Sequence, residues 1–219
     1  MNLTEHPRIV NIRAELNHFV KLLVSVGFSL TMVIGRRTQF KALSLSWELF
    51  GILFIGLTGG LLHFVFDLMG GWQPVALIAP VNESTWEHFK MAFWPGLFVA
   101  LIEIYIVQKS TTNLWLARSL GLFSTPVTIS VFFYGYMAIV GRHYLMADIL
   151  IFWIAVVIGR MVSYKLSSVP DQGRFANRCG AVLLVLMMLA FSLFTYYPPQ
   201  IFLFEDPQTQ QYGILQITD

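Results

Sequence analysis

Long apolar runs separated by short polar stretches dominate the chain. The runs cover residues 19–34, 44–69, 89–107, 114–140, 145–165 and 180–197. Crossing a bilayer as a helix takes about 20 predominantly apolar residues. The last five runs meet that need, with allowance for tilt or for a kink at Pro126 in the fourth. The run 19–34 is short and carries Lys21 near its start, so it predicts either a sixth span or an interfacial or re-entrant helix. The pattern predicts an all-α integral membrane helical bundle of five or six transmembrane helices. A polar N-terminal segment, 1–18, precedes the helical domain, 19–197, and an acidic tail, 198–219, follows it. No internal repeat is apparent, and the spans do not divide into the two halves of an inverted-repeat transporter.

Composition sharpens this picture. Hydrophobic residues make up 56% of the 219 and charged residues 12%, against roughly 25% charged in a soluble domain. A net charge of +2 with Lys and Arg scattered through loops gives no phosphate-binding stripe and excludes nucleic acid as a partner. Membrane lipids, protein partners or a second copy of the chain are the partners it allows. The single cysteine, Cys179, cannot form an intrachain disulfide and reads as a small buried apolar residue.

Lys and Arg in short loops mark the cytoplasmic side. Arg36, Arg37 and Lys41, then Lys109 and Arg118, then Arg160, Lys165, Arg174 and Arg178 fall on one side of the predicted spans. The other side holds Lys90 and Arg142, and the tail holds neither residue type. The rule therefore places residues 70–88, residues 141–144 and the C-terminus outside the cytoplasmic membrane. Arg8, Arg13 and Lys21 oppose this order if the first run spans.

On that outer level the sequence gathers its polar chemistry. Pro80-Val81-Asn82-Glu83-Ser84-Thr85-Trp86-Glu87-His88 packs two carboxylates, an amide, two hydroxyls and an imidazole into nine residues. Ser84 with Glu87 three residues on is a capping box that starts the next helix. Asn82-Glu83-Ser84 also matches the N-glycosylation sequon. Upstream, Gly56 and Gly60 form a small-xxx-small pattern for close helix approach. His63 and Asp67 continue that stripe and share a helical face at i, i+4. Arg142, His143 and Asp148 open the fifth apolar run, and Tyr134 and Tyr136 close the fourth. Three of the five histidines, His63, His88 and His143, therefore lie on one level. Ionisable groups deep in lipid are costly, so such groups collect in a shared polar pocket.

This inventory predicts a divalent metal site, for zinc or another divalent ion such as iron or manganese. Its candidate ligands are His63, Asp67, His88, His143 and Asp148. A metal there would lower the pKa of bound water and support hydrolysis or transfer on a lipid-linked ester or amide. Glu83 and Glu87 are the candidate catalytic carboxylates, with Ser84 as polar support. The competing structural role is a polar lock, in which Asp67 pairs with Lys90 or Arg142 and His63 bonds across to the next helix. Three function classes remain: a metal-dependent enzyme, a non-enzymatic structural or assembly subunit, and a small-solute or ion transporter. Three ligands around one point favour the first, complete charge pairing the second, and a polar path toward Glu103 the third.

Gly59-Gly60-Leu61-Leu62-His63-Phe64-Val65-Phe66-Asp67, the block Pro80 to Lys90, and Tyr197-Pro198-Pro199 with Leu203-Phe204-Glu205-Asp206-Pro207 and Tyr212-Gly213 together resemble an uncharacterised family of prokaryotic multi-pass membrane proteins. The resemblance covers most of residues 45–215. It implies a membrane protein of the prokaryotic cytoplasmic membrane and carries no assigned activity. More remotely, HxxxD on a membrane helix is similar to the pattern of seven-helix zinc hydrolases, the alkaline ceramidases and adiponectin-receptor-like proteins. The chain lacks their HxxxH on a late helix, so this likeness is analogy alone.

Overall fold

Inside lipid every backbone N–H and C=O must be satisfied within its own element, which leaves helices as the natural form for these runs. The computed structural model describes residues 36–107 and 113–214. The polar segment 1–18, the run 19–34, Lys109 and the last five residues lie outside the described residues. Five long helices are present: α1 (Arg36–Leu62), α3 (Thr85–Val107), α4 (Leu114–Val140), α5 (Leu145–Ser167) and α6 (Gly173–Tyr196). All five are long and apolar enough to cross a membrane. A short α2 (Val65–Leu68) and a 3-10 turn (Gln73–Leu77) lie between α1 and α3. Among the described residues there is no strand, only an isolated bridge between Glu205 and Tyr212. The chain divides at Phe50 into two compact units. Residues 36–49 of the first are helical. Among the described residues, the hydrophobic core clusters lie in the second, from Phe50 onward.

The middle helix of this second unit is α3. About 67% of its apolar window is buried, against 28% or less for each other span. Phe89, Phe93, Leu97 and Ala100 recur along α3 at helical spacing and join residues of α4, α5 and α6 in one core. The helices approach closely where side chains vanish. A Cβ on Gly180 of α6 would lie 2.6 Å from the backbone of Leu116 on α4, and Gly121 of α4 and Gly159 of α5 face each other's carbonyls. Small residues drive such packing in lipid, where helix association has no hydrophobic drive. On α1, besides Gly51 against the Arg160 side chain, close approaches occur at Gly56, against the ring of Trp153, and at Gly59, against the Met91 carbonyl. Gly60, expected as the second member of that pair, has open space where a Cβ would stand. The contact follows i, i+3 rather than i, i+4.

The helix ends are also explained locally. Gly141, at φ 76°, terminates α4 in the left-handed region and its N–H donates to Met137 O at 2.8 Å. At the other end of the bundle, Asn113 donates to the carbonyls of Val169 and Pro170 and accepts from the Gln172 N–H, tying that loop to the start of α4. Cys179, expected to be buried, is exposed, because neighbouring Gly180 takes the packed position and turns Cys179 outward.

The densest polar contact is built on Lys90, whose side chain is wholly buried. Its Nζ lies 2.5 Å from Glu87 Oε2, 2.8 Å from Ala76 O and 2.9 Å from Thr195 Oγ1. Three donors thus meet three acceptors, on α3, the 3-10 turn and α6. Thr195 in turn donates to Glu87 Oε1 at 3.0 Å, and the Val81 N–H donates to Glu87 Oε2 at 3.0 Å. The lock foreseen for Lys90 therefore exists, with Glu87 as its partner in place of Asp67. Glu87 also departs from the expected capping box. Its N–H does donate to Ser84 Oγ at 3.3 Å, but the Ser84 N–H donates to Asn82 Oδ1, because the carboxylate of Glu87 is committed to Lys90.

Two stability measurements check this packing. Gly180→Ala should lower stability by about 1–3 kcal/mol through overpacking against backbone that cannot yield. Gly60→Ala, in open space on a helix, should be neutral or stabilising by about 0.5–1 kcal/mol; equal melting temperatures for the two in detergent would refute the assignment. Lys90→Met strands a buried carboxylate and should cost about 3–5 kcal/mol, whereas Lys90→Met with Glu87→Gln should recover much of the loss. A double variant no better than the single one would count against the pairing.

Candidate metal centre

Three side chains from three parts of the chain converge beside the start of α3. His63 follows the last residue of α1, Glu83 lies in the loop before α3, and His88 stands in the first turn of α3. His63 Nε2 is 3.5 Å from Glu83 Oε1, and His88 Nε2 is 3.4 Å from Glu83 Oε2. One ligand atom from each residue falls within 4.8 Å of the other two, and the two imidazole centroids are 5.5 Å apart. Each side chain keeps about a third of its surface exposed, 30% for His63, 34% for His88 and 38% for Glu83, so the group can be reached from outside.

The orientation of His88 is set by its own helix. Its Nδ1 lies 2.9 Å from the Ser84 carbonyl oxygen. A carbonyl only accepts, so Nδ1 carries a proton, and Nε2 is left facing Glu83, as a lone pair in the neutral ring or as a second N–H donor in the protonated one. A lone pair facing a carboxylate is repulsive unless a cation sits between them or Nε2 is protonated. Separations of 3.4 and 3.5 Å are long for charge-assisted hydrogen bonds, which run about 2.7–2.9 Å. They also end on different oxygens of Glu83, so the carboxylate lies between the two imidazoles with each Nε2 facing its own oxygen. His63 Nδ1 is buried with no hydrogen-bond partner among the described residues, so its tautomer is set by the group that Nε2 meets.

Asp67 stands apart from this group. The helical stripe expected to carry it breaks, because α1 ends at Leu62 and residues 63–64 form a turn before α2. That turn rotates Asp67 away from His63 and leaves it exposed. His143 and Asp148 form a pair of their own, with His143 Nδ1 3.2 Å from Asp148 Oδ2. Tyr136 donates to Asp148 Oδ1 at 2.5 Å and accepts from the Tyr144 N–H. His143 still belongs to the electrostatic surroundings of Glu83. Glu87 and Ser84 are buried behind the site, Glu87 with Lys90 and Ser84 at the helix start. The Asn82 amide is buried and donates to Gly213 O at 2.8 Å, so the sequon is closed to a glycan in the folded chain. Tyr134, which donates to Thr85 at 3.0 Å, had no more than its position at the end of a run to mark it.

The tail covers the other side of the same turn. Leu203 O accepts the Trp86 N–H at 3.0 Å, and the Trp86 ring lies 4.6 Å from Phe204 and 4.9 Å from Phe191. Residues 86 and 88 project about 200° apart on a helix, so the tail faces Trp86 while His63 faces His88. A second charged group, Glu103 with Arg118 and Arg160, lies further along α3 and its neighbours. Arg118 also donates to Ser163 Oγ at 2.5 Å. Beside them is a cavity of about 20 Å³, room for a single water. The buried α3 residues between Lys90 and Glu103 include Phe93, Leu97 and Ala100, so apolar packing separates the two charged groups along that helix.

The carboxyl of Glu83 is held below the usual glutamate range. The His88 contact is the largest cause, and the charges of His88, His63 and His143 add to it against the opposing effect of burial. A carboxylate held down in this way stabilises the fold above its ordinary titration range, and that contribution is lost as the pH falls through the lowered one. In metal-free protein, the melting temperature of wild type should exceed that of Glu83→Gln at about pH 6 and converge on it by about pH 3. A difference that grows on acidification would show the opposite coupling.

Residues 36–214 match the sequence profile described as a family of unknown function, DUF6512. No curated protein and no solved structure gives a significant match. With most of its length matched, all five apolar helices and the His63–Glu83–His88 group included, the chain belongs to the DUF6512 family.

Proposed function

We propose that His63, Glu83 and His88 bind one divalent metal ion, zinc by the character of the donors, at a hydrolytic centre on the membrane boundary. The observation that carries this is the orientation of His88: its Nδ1–H on the Ser84 carbonyl leaves Nε2 aimed at the point shared with Glu83 and His63. A backbone carbonyl behind the ring is the usual support of a metal-bound imidazole. Two His and one Glu are three ligands, which leaves a fourth position for water, as in catalytic rather than structural zinc sites.

Bound there, a metal supplies an acidified water and polarises a carbonyl or phosphoryl oxygen. The chain's own groups do the rest. His143, oriented by Asp148 and itself exposed, is the proton carrier at the rim of the site, and Tyr136 holds Asp148 in place. Glu87 is held away from the site, because Lys90 and Thr195 occupy its oxygens. The substrate class that fits a site at the ends of membrane spans is an ester or amide on a lipid-linked molecule. The shortage of Lys and Arg in the loops at this end supports placing the site, and the C-terminus, outside the cytoplasm.

The test is elemental analysis of detergent-purified protein after dialysis against a weak chelator, followed by zinc titration. Wild type should retain near-stoichiometric zinc. His63→Ala and His88→Ala should lose it, and Glu83→Gln should bind at least about tenfold more weakly. His143→Ala should keep the metal and lose about 100-fold or more in hydrolysis of a lipid-ester panel. Wild type that holds no metal and binds none on titration would overturn the proposal.

A further inference from the structure

The segment that joins α1 to α3 has two faces of unlike chemistry. Inwardly, Phe66, Val75, Ala76, Ala79 and Val81 form a small core of their own, with Tyr196 and Ile214 packed against it. The segment is pinned at two points: Lys90 Nζ donates to Ala76 O at 2.8 Å, and Tyr196 Oη donates to Gln73 O at 2.7 Å. It is therefore a folded piece of the protein. Outwardly it presents large apolar side chains. Leu68 is 81% exposed and Phe64 and Trp72 are each 58% exposed, with Met69, Leu77 and Ile78 exposed beside them. Asp67 is the single charged residue between His63 and Glu83.

A folded segment with an apolar outer face of this size does not belong in water. Its ends say where it belongs. The apolar part of α1 ends at Leu62 and that of α3 begins at Thr85, so the segment starts and finishes where two spans leave the hydrocarbon. Exposed apolar side chains run from Leu57 and Leu61 of α1 to Phe64 and Leu68 of the segment, and Trp72 is the residue type that settles at headgroup level. We infer that residues 64–78 form a membrane-seated collar, its outer face immersed at the headgroup–acyl boundary of the leaflet beside the His63–Glu83–His88 group. This placement holds whether or not a metal occupies that group. Interfacial segments of this kind bury their apolar side about 5–10 Å below the headgroups.

Nitroxide accessibility tests the collar. In a Cys179→Ser background, which removes the only native cysteine, single labels go at Leu68→Cys and Ile78→Cys. Leu57→Cys on α1 serves as a mid-span reference and Gln208→Cys on the exposed tail as an aqueous one. All four positions are exposed, so the labels remove little packing. The proteins are reconstituted into nanodiscs of phosphatidylcholine and phosphatidylglycerol, and collision with oxygen is compared with collision with a water-soluble nickel chelate. Labels at 68 and 78 should show an oxygen-to-nickel ratio at least about threefold above that at 208 and below that at 57. A ratio equal to that at 208 would place the segment in water and overturn the collar. Low collision with both reagents would show a covering protein, a second copy or another subunit, and would overturn it equally.

Discussion

The ammonium of Lys90 is the constraint on which the end of the bundle around the start of α3 depends. A lysine with no exposed side chain surface survives only if every donor has an acceptor, because an unpaired buried charge costs several kcal/mol. Those acceptors come from three separate parts of the chain: Glu87 one helical turn before it, Ala76 in the 3-10 turn, and Thr195 near the end of α6. Satisfying one charge therefore fixes the connection between α1 and α3, the first turn of α3 and the exit of α6 in one arrangement. His88 of the His63–Glu83–His88 group sits on that same first turn, and Glu83 lies just before it. The group's geometry is inherited from the lock behind it, as functional groups generally need a rigid supporting shell.

The division of labour between neighbouring residues follows from helix geometry. Within one turn of α3, Trp86 meets the tail, Glu87 meets Lys90 and Thr195, and His88 meets Glu83. Two glutamates four residues apart thus have different surroundings. Glu87 is neutralised by a buried cation, while Glu83 stays partly solvated among imidazoles that draw its carboxyl to the ionised form. The same contrast separates a residue that holds the fold from one that is open to a ligand.

Much of the architecture was legible in the order of residues. The five spans follow from apolar length alone, since lipid leaves the backbone few options. The polar block from Pro80 to His88 also stood out, because charged groups are rare in such a chain. Which groups meet was less legible. Asp67 reads as a partner of His63 on a continuous helix, yet two residues of turn after Leu62 change its direction. Glu87 reads as a cap or a catalytic carboxylate, yet Lys90, three residues on, captures it. Gly60 reads as the contact glycine, yet Gly59 is the one against a backbone carbonyl. In each case spacing gave the candidate residues, and a packing partner, a neighbouring buried cation or a short break in helix decided among them. The link from Thr195 to Glu87 has no local signature at all.

The bond from the Trp86 N–H to Leu203 O carries a consequence for biosynthesis. A ribosome delivers α3 long before it delivers the tail, and the first turn of a helix has donors that its own backbone cannot satisfy. During that interval the Trp86 donor must be served by water or headgroups. The Glu87–Lys90 pair likewise lacks Thr195 until α6 has been inserted. The end of the bundle that holds Lys90 is thus closed from the C-terminus backward, and its final shape is reached only when this later stretch of chain has docked. Chains released early would insert their spans and still leave this end open.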